Sequence, residues 1–162
     1  MSVIGNTTLS FSEEQAMLLD VAREFCRNKS PIASVRAQLE TDSGYDAAVW
    51  DEMVALGWAG ISLPESCGGS GMGVATVVPV VEAMGRAMLG TPLVSTTLAA
   101  QLLLRAAGEG RMESVLSEIA AGAPATVALL ENGDWGDTRI RCTVGADGTD
   151  RKSTRLNSSH RL

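Results

Sequence analysis

Trp50-Asp51-Glu52-Met53-Val54-Ala55-Leu56-Gly57-Trp58-Ala59-Gly60-Ile61-Ser62-Leu63-Pro64-Glu65-Ser66-Cys67-Gly68-Gly69-Ser70-Gly71 is the stretch that decides how this chain folds. Its first part predicts a helix over Ala47 to Leu56, with Asp46 as the N-cap. Val49, Trp50, Met53 and Leu56 recur at helical spacing and are the expected buried face. Gly57 stands where a left-handed stop belongs, and Trp58 is poised to fold back onto Met53. The second part, Ile61 to Gly73, reads as a glycine-rich loop leading into another helix.

A glycine loop ahead of a helix invites a phosphate-binding reading. Two specific versions fail here. A P-loop needs Gly-Lys-Ser/Thr at the helix start, and no Lys or Arg lies between Arg36 and Arg86. The dinucleotide fingerprint needs Gly-x-Gly-x-x-Gly after a strand, and after Gly69 and Gly71 the third glycine position holds Val74. A tight connection between helices is the reading that remains.

Working outward, a helix is expected from Glu13 to Lys29, opened by a capping box of Ser12 and Gln15. Its apolar stripe is Leu18, Val21, Ala22 and Phe25, and Pro31 ends it. A third helix spans Val74 to Met88, either kinked at Pro79 or truly beginning later. A fourth runs from Pro92 to Ala107, and a fifth from Met112 to Ala121 with Gly122 as its stop. After Pro124 the pattern turns to strands, Thr126 to Glu131 and Arg139 to Val144, around a turn at Asn132-Gly133-Asp134. The expected fold is therefore mainly α: five helices followed by the first one or two strands of a β region.

Composition agrees with packed helices. Hydrophobic residues make up 45% of the 162, but aromatics only 4%, so Ala, Leu, Val and Met must build the core. All 19 acidic residues fall within residues 1–150, against nine basic ones, which argues against nucleic acid as a partner. Cys26, Cys67 and Cys142 show neither metal spacing nor a disulfide framework and read as buried thiols of a cytoplasmic protein. The single histidine, His160, leaves the body without a Ser-His or Cys-His pair or a histidine metal ligand. Glu65, Glu82 and Glu131 have no identifiable partner, while Glu13, Glu14, Asp51 and Glu52 lie near helix starts and suit the dipole there. No catalytic, cofactor-binding or metal residue is therefore assigned. Met1 to Asn6 lacks a basic n-region and acids follow at Glu13 and Glu14, so a signal peptide is not expected here. The uncharged run Ala87–Leu104 approaches bilayer length, but its interruption by Gly90, Pro92 and polar residues favours two helices over a membrane span.

The quoted stretch resembles the acyl-CoA dehydrogenases, whose N-terminal domain carries a helix, then Leu-Gly, Gly-Ile, Leu-Pro-Glu and Gly-Gly-x-Gly. Glu82-Ala83-Met84-Gly85-Arg86 resembles the helix that follows in that family, and the likeness extends from Phe11 to Gly148. It implies a parent with an N-terminal helical domain, a middle β-domain and a C-terminal helical domain. FAD would lie between the last two and an adjoining subunit. It also implies oxidation of an acyl-CoA to its 2,3-enoyl-CoA, with a C-terminal glutamate taking the α-proton and the β-hydrogen leaving as hydride. An electron-transfer flavoprotein would be the acceptor, in a homo- or hetero-oligomer. Locally, the start of the fourth helix would border the acyl-chain pocket, with Val94, Ser95 and Ala99 facing it; ordinary interhelical packing is the competing reading of these three.

On this resemblance residues 1–124 are the helical domain and 125–149 the incomplete opening of the β-domain. The base and the flavin contacts would lie outside the chain, so none of this stretch is expected to bind FAD or to be active alone. The alternative is a non-catalytic helical interaction module or partner subunit. The last segment, 150–162, breaks the pattern: its charge turns positive and Asp150-Arg151-Lys152-Ser153-Thr154-Arg155-Leu156-Asn157-Ser158-Ser159-His160 resembles one reading frame of a sequencing-library adapter. It is expected to be an artefactual tail, the rival being a basic tail for an acidic partner.

Overall fold

The computed structural model describes residues 11–107 and 112–128. These form a mainly α-helical unit of six helices: α1 (Glu13–Lys29), α2 (Ile32–Gln38), α3 (Ala47–Ala55), α4 (Val78–Ala87), α5 (Leu93–Ala107) and α6 (Glu113–Ala120). Short 3-10 turns at Trp58–Gly60, Glu65–Cys67 and Val74–Val77 link α3 to α4. The helices all fall in one compact unit, Met1–Thr126, with Val127–Leu162 counted apart.

α1 begins at the expected capping box. Ser12 Oγ accepts from the Gln15 amide at 3.2 Å, and Gln15 Oε1 accepts from the Ser12 amide at 3.1 Å. Its inward face differs from the expected stripe: Leu19, Ala22 and Cys26 are buried, Leu18 and Phe25 pack partly against them, and Val21 is 48% exposed. The stripe centres on Ala22, and Val21 sits about 100° round the helix from it, beyond the edge of the buried face. α2 was not expected. It buries no residue, so no apolar stripe announces it, and Pro31 with φ −63° serves as its N-cap rather than merely ending α1.

α3 starts from Asp46, whose carboxylate accepts from the Ala48 amide at 2.9 Å. Val49, Trp50 and Met53 are buried as expected, but Leu56 is 49% exposed, because the helix closes at Ala55 and Leu56 caps it outside the last turn. Gly57 follows at φ +78°, a conformation that a Cβ would strain.

The Pro79 question resolves in favour of the later start. Val74–Val77 is a 3-10 turn and Pro79 lies in the first turn of α4, where no hydrogen bond is lost to it. α4 ends on Met88, left-handed at φ +54°, with the Leu89 amide returning to the Met84 carbonyl at 2.9 Å. α5 starts at Leu93, and α6 is followed by Gly122 at φ +106°.

Two apolar clusters form the interior. The larger joins α1, α3, the Trp58 turn, α4 and the first residue of α5 around Ala22, Met53, Val80 and Leu93, with Phe25 and Trp58 edge to face at 5.0 Å. The smaller gathers Leu63, Cys67, Ala100, Leu116 and Ile119 from the glycine loop, α5 and α6. Thr126–Ala128 shows no strand; the remainder of both expected strands, Cys142 and the 150–162 tail lie outside the described residues. Among the described residues no helix is long and apolar enough to cross a membrane.

Candidate functional site

The glycine loop is closed to ligands by its own hydrogen bonds. Five consecutive amides are engaged: Gly68 to Glu65 O, Gly69 to Pro64 O, Ser70 to Gly60 O, Gly71 to Leu63 O and Met72 to Ile61 O, at 2.8–3.1 Å. A phosphate cradle needs such amides unpaired and convergent. Gly69 is required for packing: a Cβ there would sit 2.6 Å from the Leu63 carbonyl carbon. Gln101 Nε2 donates to Ser62 O at 3.1 Å and pins the loop to α5. The loop is thus a brace, and it does not fit the pyrophosphate of a dinucleotide such as FAD.

An open apolar groove of about 380 Å³ lies between the start of α4 and the start of α5. Val74, Val77, Val78, Val81 and Val94 line it with Leu98, Thr97 and Glu82. Among the described residues that line it Glu82 is the one charged side chain, and it is already paired with Arg86 at 2.9 Å. A wall of branched hydrocarbon without a convergent charge can hold an apolar chain by burial, but it holds no acid or base of its own.

Of the three residues expected at the pocket, only Val94 lines the groove. Ser95 is half-buried and donates its hydroxyl to Pro92 O at 3.0 Å, and Ala99 is buried. The helix explains the division: Ala99 lies about 140° round α5 from Val94, so the two cannot share a face. The residues that do share it, Thr97 and Leu98, follow Val94 by three and four positions, a spacing already present in the sequence.

Elsewhere among the described residues little converges. A smaller concavity of about 110 Å³ borders Lys29, Ser30 and Asp46, but Lys29 is paired with Glu52 and the Ser30 hydroxyl is spent on Ala87 O. Cys26 and Cys67 are buried free thiols, and burial pushes the Cys26 thiol above its usual pKa, away from nucleophile chemistry. Among the described residues no three His, Cys, Asp or Glu gather as a metal site.

Residues 12–123 match the family profile described as "Acyl-CoA dehydrogenase, N-terminal domain". Two curated relatives, both named acyl-CoA dehydrogenase IpdE2, are 34% identical: one from Mycobacterium tuberculosis over 82% of this chain, one from Mycolicibacterium smegmatis over 85%. The caffeyl-CoA reductase-Etf complex subunit CarC of Acetobacterium woodii is 29% identical over 85% of the chain. The chain spans 43% of the length of each IpdE2 relative and 37% of CarC. Among solved structures, the Tcur3481-Tcur3483 steroid ACAD G363A variant superposes with a TM-score of 0.67 at 30% identity, over 72% of this chain and 32% of that one. The ChsE4-ChsE5 complex from Mycobacterium tuberculosis matches at a TM-score of 0.70 over 87% of this chain and 38% of that one. At 21% identity this second match speaks for the fold alone.

Proposed function

Because this chain belongs to the acyl-CoA dehydrogenase family through its N-terminal helical domain, we propose that it serves a parent enzyme that oxidises acyl-CoA thioesters to 2,3-enoyl-CoA. Its part is to wall the acyl-chain pocket. One observation carries this reading: the groove is lined by five valines and Leu98, and its single carboxylate is neutralised by Arg86. Val94 forms part of that wall, while Ser95 and Ala99 support it from the inner side of α5.

In this reading the catalytic base and the FAD contacts belong to domains beyond residues 1–124, and the helical domain alone is inactive. The relative named as a steroid ACAD makes a bulky, ring-bearing acyl group the substrate class to try first. CarC, named as a subunit of an Etf complex, makes an electron-transfer flavoprotein the acceptor to try and an oligomer the assembly to expect; the cytoplasm is the compartment this reading assigns to that assembly. A second reading, a non-catalytic partner subunit, is favoured by the exposed row Val94, Leu98 and Leu102 on α5.

The test is to resequence the source gene across codon 149, express the whole frame and assay acyl-CoA oxidation with an artificial electron acceptor. Activity, with Val94→Phe raising KM for bulky acyl groups more than for short ones, supports the enzyme. A frame that truly ends at Leu162, giving a product without flavin or activity, sinks the enzyme reading and leaves the partner subunit.

A further inference from the structure

Beyond α6 the chain runs from Gly122 to Ala125 without joining a regular element, yet it is held at several points. The Trp50 indole N–H donates to Gly122 O at 2.9 Å, across 72 positions of sequence. The Ala123 amide returns to Glu118 O at 2.9 Å. Ala125 is gripped twice by one side chain: Thr96 Oγ1 accepts from the Ala125 amide at 3.0 Å and donates to the Ala125 carbonyl at 3.3 Å.

Thr96 is fully buried on α5, and its neighbours Thr97 and Leu98 line the groove. A hydroxyl can donate and accept at once, so it gives an unpaired backbone both bonds that a neighbouring strand would. Valine would fill the same space and satisfy neither group. Threonine hydroxyls in helices ordinarily bond backward within their own helix. This one instead reaches a backbone 29 positions away.

We propose that Thr96 is a latch that fixes the path of Gly122–Ala125 against α5. One face of α5 then carries the apolar groove, and the adjacent buried position holds the chain where it leaves the helical unit. Thr96 is a positioning residue in this role, whatever fills the groove.

Hydrogen exchange on the 162-residue protein tests it by following the Ala125 amide. In the unaltered protein this amide exchanges about as slowly as those inside α5. Thr96→Val speeds it by about tenfold relative to the amides of α1 and α4, whereas Thr96→Ser retains the protection. An Ala125 amide unmoved by Thr96→Val, or uniform acceleration across all helices, overturns the latch. Should Thr96→Val fail to fold, the unaltered protein still decides: fast exchange at Ala125, as in an exposed linker, overturns it.

Discussion

The two apolar clusters are held in different ways. The larger is a set of helix faces pressed together: α1 against α4, with Met53 and Val80 fully buried and Phe25 set edgewise on Trp58. The smaller is built around a loop whose backbone folds on itself, with Leu63 buried at its centre and Gly69 against the Leu63 carbonyl. Side-chain volume sets the first and backbone geometry the second. A contact surface made of interchangeable hydrocarbon tolerates exchange; one made of carbonyls and amides at fixed distances does not.

Gly69→Ala is expected to break that contrast most sharply. The added methyl meets backbone rather than a flexible side chain, so the loop must open, at a cost of about 3 kcal/mol or more in urea unfolding. Gly57→Ala has open space around the new methyl and only the left-handed backbone to strain, so it should cost about 1 kcal/mol. Equal losses at the two sites would mean that the loop yields as readily as a helix end.

Met53→Ala and Leu63→Ala compare the clusters directly, since both side chains are fully buried. Each should lose about 2–5 kcal/mol. If the loop is a rigid brace it cannot collapse into the cavity, and Leu63→Ala falls at the upper end of that range. A larger loss at Met53 would reverse the assignment of stiffness.

These contrasts mirror what the sequence made legible. N-caps, glycine stops and helical spacing act locally, so α1, α3, α5 and α6 are legible in the sequence, as are the Gly57 and Gly122 stops and the buried face Val49, Trp50 and Met53. α2 escaped because it buries nothing. Val21 and Leu56 were misread because a stripe's edge and a helix's last turn depend on what packs alongside. Along α5 the groove is lined at helical spacing by Val94, Thr97 and Leu98, a pattern that spacing alone makes legible, whereas the part contributed by α4 depends on how the two helices pack. Thr96 gave no signal, since its partner is defined only by the folded path of a distant segment.

Trp50 joins the two regions, being buried in the larger cluster while its indole N–H reaches Gly122 beyond α6. Trp50→Phe keeps most of the apolar contact and loses the bond. It should cost about 1 kcal/mol for the hydrogen bond, plus the packing lost with the smaller ring. Faster amide exchange at α6 than at α1 would mark the loss of the link; equal change in both would show one cooperative core.

The smallest effect concerns Cys26, whose thiol pKa is raised by burial. The folded state holds that proton more tightly than the unfolded chain, so this contribution is fully present below the unfolded thiol's pKa, about 8.5. It is lost as pH climbs from there through the folded value. Cys26→Ala should flatten the alkaline decline in stability, measured by urea unfolding at a series of pH values. An unchanged slope would show that the thiol titrates freely.

Met88 has a wider consequence. The uncharged run Ala87–Leu104 as one straight helix would measure about 27 Å, close to the hydrocarbon thickness of a bilayer. A single left-handed residue at its start, followed by Gly90 and Pro92, breaks that rod after its first residue and turns the rest onto the helical core. A hydropathy plot registers only the composition of such a run; here a dihedral angle settles whether it points through a membrane or folds back along its neighbours.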